Sequence, residues 1–228
     1  MIPYNKGAFI LGEELYKLYN KIHKIVSKID EELSVKDKIR EETIRISRTI
    51  IRRSSECVKK VLENNLDEAK NILDEIDMRV RELNNLLRDN YPDIYYSGLV
   101  YGALAEYTEC SILYSLVVDR DIKSYNELDI PITPYLQGLG DVVGELRRMI
   151  LNKIMEHKID EALEFLKLME MIYDALRRLH YPDALIQGVR HKVDVARRLI
   201  DDTKAFLIDI RSREELRKLL SKITVNST

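Results

Sequence analysis

Several residue types that mark particular protein classes are scarce or absent in this 228-residue chain. It has no Trp, only 8 Gly and 5 Pro, and two cysteines, Cys57 and Cys110. So few turn-forming residues argue against an all-β protein and favour helices. The cysteines are far apart and the four histidines do not stand at zinc-ligand spacings, which argues against a structural zinc site. Residues 1–6 lack a basic segment followed by an apolar one, and this predicts a cytoplasmic protein with reduced thiols.

An excess of positive charge is also missing. The 37 Lys and Arg residues nearly balance the 39 Asp and Glu residues, giving a formal net charge of -2. Because nucleic-acid binders usually present a basic surface, any contact with RNA must come from a local basic patch. The uncharged stretch at residues 94–105 is too short to cross a membrane, so a buried central helix is expected there instead.

Apolar residues recur at spacings of three and four along most of the chain, the pattern of amphipathic helices. Ser34 is a candidate N-cap, Tyr91-Pro92 predicts a helix end, and Thr133-Pro134 predicts a helix start. Helices are expected at residues 7–33, 35–64, 66–89, 94–118, 134–157, 159–179 and 183–207, with a polar tail from about residue 212. Seven helices with short connections predict an all-α fold, a seven-helix bundle that forms a single domain over residues 1–228.

The helix at residues 94–118 carries only two charged residues, Glu106 and Glu109. They lie one turn apart on the same face of an otherwise apolar helix. Burying two ionised carboxylates side by side is expensive unless something neutralises them, and one divalent cation could satisfy both. Hard oxygen ligands favour Mg²⁺ or Mn²⁺ over zinc. The alternative is that both acids pair with arginines in a structural network.

The following helix supplies a second acidic pair, Asp141 and Glu145, in a stretch with three glycines near the helix start. Glycine is costly in a helix, so this stretch predicts close packing against a neighbour. Gly144 leaves room for a metal, a phosphate or another helix. Arg148 shares the face of the two acids, where it could hold a carboxylate or clamp a scissile phosphate.

These motifs resemble those of the translin family, and more closely its factor X subunit than translin itself. Residues 135–149, Tyr-Leu-Gln-Gly-Leu-Gly-Asp-Val-Val-Gly-Glu-Leu-Arg-Arg-Met, resemble the signature helix of the family. Residues 106–109, Glu-Tyr-Thr-Glu, are similar to the Glu-Tyr-x-Glu motif of the factor X subunit. Residues 46–48 and 191–196 resemble the early and the final helix. The resemblance covers roughly residues 35–211.

The resemblance implies a seven-helix bundle and an endoribonuclease that depends on Mg²⁺ or Mn²⁺ and acts on single-stranded or short RNA. Carried over by motif, the catalytic acids are Glu106, Glu109 and Asp141. Glu109 and Glu145 are the first candidates for metal ligands, with Glu106 and Asp141 beside them. Because all four acids are present, the resemblance favours a nuclease over a simple binder. It also implies a homo-oligomer, which in this family is a hollow octamer.

Other features bear on RNA contact and on rival functions. Arg45, Arg48 and Arg52 are spaced to share one helix stripe that could guide RNA, as could Arg148, although such stripes are often solvated or salt-bridged faces. Gly98 and Gly102 predict a close contact with another helix or subunit. One rival function is a non-catalytic oligomer that binds RNA or single-stranded DNA. Another is an all-α nucleotide pyrophosphatase, which clusters acids in a similar way.

Overall fold

The computed structural model describes residues 6–225, and side chains are described for residues 12–217. Over this range the structure contains seven α-helices and no strand, which confirms the all-α class and the number of helices. In chain order they are α1 (Lys6–Leu62), α2 (Leu66–Leu87), α3 (Pro92–Tyr95), α4 (Gly98–Val118), α5 (Ile132–Met155), α6 (Ile159–Leu176) and α7 (Val189–Val225).

The number of helices agrees although several helix boundaries differ from the prediction. Helix α1 continues through Ser34, because no Gly or Pro interrupts residues 13–62 and a serine caps a helix only where one begins. The seventh helix is instead the short α3, which starts at Pro92. Helix α7 begins at Val189 rather than at residue 183, after a turn that ends at Gly188 (φ +73°). It runs on to Val225 through helix-forming residues, so the polar tail predicted from about residue 212 belongs to this helix as far as Val225.

By its internal contacts the chain divides into two compact units, the first ending at Arg45 and the second beginning at Ile46. In the first unit every side chain from residue 12 to residue 35 is exposed. These exposed side chains include an apolar stripe at spacings of three and four: Leu15, Leu18, Ile22, Ile25, Ile29 and Leu33. The single domain over the whole chain stays a prediction.

Helix α4 is the most buried helix of the second unit. Its side chains from Val100 to Leu116 are almost all buried, since apolar residues lie around its whole circumference. It packs against α2 and α5, and α5 packs in turn against α6 and α7. This confirms the buried central helix. No described helix is both long and apolar enough to span a membrane.

A buried polar network holds the connection between α4 and α5. The Asn84 amide donates to the carbonyl oxygen of Asp129 at 2.8 Å and accepts from the Tyr95 hydroxyl at 2.9 Å. Arg88 donates to the Asp129 carboxylate at 2.8 Å. Satisfied buried polar groups stabilise one arrangement of a loop, so this network fixes the connection before α5 against α2 and α3.

Candidate functional site

The acidic turn of α4 meets the start of α5 at Gly138. A Cβ atom at this position would lie 2.3 Å from the carbonyl oxygen of Ala105 and 2.6 Å from the Cβ of Thr108. Neither distance leaves room for a side chain, so only glycine permits the contact. Ala105 precedes Glu106 and Thr108 precedes Glu109, and the crossing therefore brings both acids to the face of α5.

A second glycine, Gly140, brings α7 against α5. A Cβ atom there would lie 2.8 Å from the Cβ of Lys192 on α7. From this position the Lys192 ammonium donates to Oδ1 of Asp141 at 2.6 Å, with both side chains about one third exposed. Three helices therefore contribute charged groups to one place.

Glu106, Glu109, Asp141 and Glu145, here called the acidic cluster, influence one another electrostatically. Burial raises the pKa of Glu109 to about 8, and the negative charges of Asp141, Glu106 and Glu145 add to the rise. The pKa of Glu106 is also raised, by burial first and then by Asp141, while Lys192 offsets part of the effect. The structure therefore brings the four predicted acids close enough to repel one another.

The four acids are neutralised unequally. Asp141 pairs with Lys192, and Glu145 pairs with the largely exposed Arg148 at 3.1 Å. Glu106 and Glu109 form no ion pair or hydrogen bond with any described side chain. The pairing with arginine considered for them is thus absent from the described part of the chain, and Lys192 compensates the two carboxylates only from a distance.

The donor set suits a hard divalent cation. Carboxylate oxygens are the protein ligands that Mg²⁺ and Mn²⁺ prefer, and a dication would offset both the burial and the repulsion that raise the pKa of Glu109. Among residues 12–217, no three or more His, Cys, Asp or Glu side chains are placed so that they could hold a metal ion together. The acidic cluster therefore suits a divalent cation in its negative charge and in the type of its ligand atoms.

The basic residues predicted to contact RNA are all on the surface. Arg45 pairs with Glu42 at 2.5 Å, and Arg148 takes the role of holding Glu145. Arg48 and Arg52 are exposed and form no ion pair with a described carboxylate. Their contact with RNA stays a prediction.

The other glycines have more room around them, as was expected for Gly144. A Cβ at Gly144 would meet only one atom, of Leu199, at an ordinary 4.0 Å, so close packing depends on Gly138 and Gly140 instead. At Gly98 and Gly102 a Cβ would meet nothing within 4 Å among the described atoms, so the predicted helix contact is not within this part of the chain.

Sequence reasoning missed Lys192 as a member of the site. It belongs to the stretch at residues 191–196 that was recognised by resemblance, but nothing local indicated that it pairs with Asp141, 51 residues earlier. The one available signal was Gly140, which required a close neighbour without revealing which helix supplies it.

This chain is similar in sequence and in fold to several known proteins. The model of the Translin family matches residues 17–202. An uncharacterized protein of Methanocaldococcus jannaschii is 30% identical over 189 residues, which are 82% of this chain and 83% of that protein. The crystal structure of AfC3PO in complex with duplex RNA superposes with a TM-score of 0.76 at 26% identity, covering 82% of this chain and 97% of the other.

A further structure, apo-NeC3PO, is similar in fold, with a TM-score of 0.73 at 22% identity, covering 80% of this chain and 95% of that one. The family match extends over α4, α5 and the part of α7 that carries Lys192, so it includes every residue of the acidic cluster. The chain belongs to the translin family.

Proposed function

We propose that this protein is an endoribonuclease that requires Mg²⁺ or Mn²⁺ and binds its RNA as a homo-oligomer. The observation that carries the proposal is the acidic cluster, in which Glu106 and Glu109 have no ion-pair partner among the described residues and are repelled by Asp141 and Glu145. Carboxylates that repel one another store an unfavourable energy that a structural role alone does not explain, so such clusters are candidates for functional sites.

After a change of side-chain rotamers that brings their carboxylates together, the four acids would hold one or two divalent ions. When bound, such an ion lowers the pKa of a coordinated water and neutralises charge on the scissile phosphate. Glu109 and Glu145 are the proposed primary ligands, and Glu106, Glu109 and Asp141 the catalytic acids. A carboxylate that does not hold an ion could accept the proton of the attacking water. Lys192 would give up part of its pair with Asp141, leaving its ammonium free to face the phosphate.

RNA is the proposed substrate for two reasons. A solved relative, AfC3PO, is 26% identical and forms a complex with duplex RNA. Arg48 and Arg52 on α1 are exposed, unpaired with described carboxylates and one turn apart, so they could contact successive phosphates. Arg45 and Arg148 would have to leave their partners Glu42 and Glu145 to take part.

Cleavage of labelled RNA tests the activity. Single-stranded and duplex RNA are incubated with the protein in Mg²⁺, in Mn²⁺ and in chelator, using the wild type, Glu109→Gln and Asp141→Asn. The matched control is Glu164→Gln on α6, an exposed acid outside the acidic cluster. We expect cleavage only with metal, normal rates for the control and a loss of at least about 100-fold for the two cluster variants. Equal rates in all four proteins would refute the assignment of the site.

The exposed apolar stripe of the first unit is the feature from which we propose self-association. Six apolar side chains of its stripe, from Leu15 to Leu33, are each at least 48% exposed, and an isolated helix with such a face gains stability by covering it. The resemblance implies an octamer. Light scattering should show an oligomer that Ile22→Glu and Ile25→Glu weaken, whereas Lys24→Glu on the other face should not. A wild-type monomer at micromolar concentration would contradict the proposal.

A non-catalytic oligomer that binds RNA or single-stranded DNA is the second candidate. It is favoured by the two ion pairs that already neutralise Asp141 and Glu145. Binding of RNA without cleavage under any metal would select this function. Hydrolysis of free nucleoside triphosphates, measured in the same preparations, would select the pyrophosphatase instead.

A further inference from the structure

A cavity of about 510 Å³ lies between the end of α6 and the start of α7. Its volume falls within the range of roughly 300–1,000 Å³ that is usual for small-molecule sites. Apolar side chains form much of its wall, among them Leu176, Ile186 and Val189. No member of the acidic cluster lines it, so it is separate from the proposed cleavage site.

The polar groups of this cavity are complementary to the parts of a nucleotide. Arg190 lines it, is exposed and forms no ion pair with a described carboxylate, leaving its guanidinium free for a phosphate. Tyr181 is 61% exposed and offers a ring on which a base can stack. Asp194 also lines the cavity, and its carboxylate can accept hydrogen bonds from a ribose hydroxyl or an exocyclic amine.

The turn at residues 180–188, part of which lines the cavity, is held in place by hydrogen bonds. The Thr133 hydroxyl donates to the carbonyl oxygen of Leu185 at 3.2 Å, and the Gln137 amide donates to that of Gln187 at 2.7 Å. Within the turn, the backbone N–H of Gly188 donates to the carboxylate of Asp183 at 2.9 Å. A preformed site loses less entropy on binding, so a ligand held against this turn would bind at a smaller entropic cost.

We propose that this cavity binds one nucleotide unit, with the base against Tyr181, the phosphate on Arg190 and the ribose or base amine on Asp194. The unit is either a nucleotide of bound RNA or a free nucleoside monophosphate, which share this chemistry. An apolar ligand would leave the guanidinium of Arg190 without a partner, and an inorganic anion would leave the ring and the apolar wall unused. The identity of the polymer rests on the proposed function, whereas binding of a free nucleotide does not.

Calorimetric titration of the full-length protein in chelator tests the cavity without metal chemistry at the acidic cluster. The probes are adenosine 5′-monophosphate, uridine 5′-monophosphate and a six-nucleotide single-stranded RNA. Arg190→Ala is compared with Arg178→Ala, which removes the same charge from an exposed residue that does not line the cavity. We expect Arg190→Ala to weaken binding by about tenfold or more, as for a lost charge-assisted hydrogen bond, and Arg178→Ala to change it by less than about twofold.

Two substitutions at Tyr181 separate stacking from the hydroxyl group. Tyr181→Phe should keep the affinity, and Tyr181→Ala should lower it by about tenfold, because stacking on an aromatic side chain is worth about 1–3 kcal/mol per base. Tyr181 and Arg190 are both exposed, so their variants should unfold at the same temperature as the wild type. Absence of saturable binding of every probe up to millimolar concentration, or equal losses for Arg190→Ala and Arg178→Ala, would overturn the proposal.

The same probes distinguish free nucleotides from RNA as the ligand, and the cavity proposal from the nuclease proposal. Binding of the monophosphates that depends on Arg190 assigns the cavity to free nucleotides, whereas Arg190-dependent binding of the hexanucleotide alone assigns it to RNA. Either result supports the cavity. If Glu109→Gln and the wild type both fail to cleave RNA while nucleotide binding still depends on Arg190, the nuclease proposal fails and the cavity stands. If the wild type cleaves RNA but Arg190→Ala does not weaken nucleotide binding, the cavity proposal fails and the nuclease proposal stands.

Discussion

The pKa of Glu109 leads to a stability prediction that has the opposite sign to that of most carboxylates. Glu109→Gln keeps the size of the side chain and removes its charge. In metal-free protein we expect this variant to be more stable than the wild type at pH 9 and close to it at pH 5. The reason is that the folded wild type must carry an uncompensated, half-buried carboxylate at high pH.

The sign and size of this stability difference follow from the linkage between protonation and folding. The pKa of Glu109 rises from 4.5 to about 8, so between these values the folded protein holds a proton that the unfolded chain has released. Stability of the wild type therefore falls as the pH rises through this window, and Glu109→Gln lacks this contribution. At about 1.4 kcal/mol per pKa unit the full effect is of the order of 5 kcal/mol. Partial solvation and the shared charge of the cluster reduce what is observed to roughly 2–3 kcal/mol.

Urea unfolding in chelator, at fixed protein concentration and at pH values from 5 to 9, measures this difference. Fixed concentration matters because self-association shifts apparent stability. Glu164→Gln, an exposed acid outside the acidic cluster, is the control and should follow the wild type throughout. Addition of Mn²⁺ should then stabilise the wild type more than Glu109→Gln. A difference between Glu109→Gln and the wild type that stays constant from pH 5 to pH 9 would refute the reasoning.

Three further predictions concern the residues that build the site. Gly138→Ala should cost about 1–3 kcal/mol or more in thermal unfolding, because its Cβ meets backbone atoms of α4, whereas Gly102→Ala, which meets nothing within 4 Å, should be neutral or stabilising by up to about 1 kcal/mol. Lys192→Gln should lower the stability of the metal-free protein, because it removes the ion pair with Asp141. It should also strengthen Mn²⁺ binding about tenfold, since Lys192 competes with the metal ion for Asp141. Weaker Mn²⁺ binding in a calorimetric titration would show that Lys192 and the metal ion do not compete. Asn84→Ala should lower the free energy of unfolding by about 1–3 kcal/mol by leaving the Tyr95 hydroxyl and the Asp129 carbonyl without their partner, and the exposed Asn85→Ala should have little effect.

The helices could be predicted from the sequence because their signals are local. Apolar spacing and the scarcity of Gly and Pro identify the class, and Tyr91-Pro92 marks a true helix end. Ser34 misled because a serine inside a helix differs from an N-cap only in backbone conformation, which the sequence does not reveal. The late start of α7 was missed for a similar reason, since residues 183–188 are kept out of the helix by contacts with α5 that no local pattern shows.

The acids of the site could be predicted, but their counter-charges could not. Glu106 and Glu109 stand out because charge is rare on α4, and this contrast lies within one helix. Lys192 and Arg148 are ordinary members of charge-rich helices. Arg148 was correctly placed on the face of Glu145 because helix spacing determines it. The partnership of Lys192 depends on how α5 and α7 pack, and this is long-range information.

The geometry of α5 explains why Asp141, and not Glu145, carries the pair with Lys192. Successive residues of an α-helix are rotated by roughly 100°, so Gly138 and Gly140 point to nearly opposite sides. The first side lies on α4 and the second on α7. Asp141 projects between the two directions, whereas Glu145 returns to the side of Gly138 and faces α4 without reaching α7. Asp141 is therefore the one carboxylate of α5 that both helices can reach. Lys192 of α7 attracts Asp141 and the acids of α4 repel it, so a divalent ion at the acidic cluster would have to displace Lys192 from Asp141.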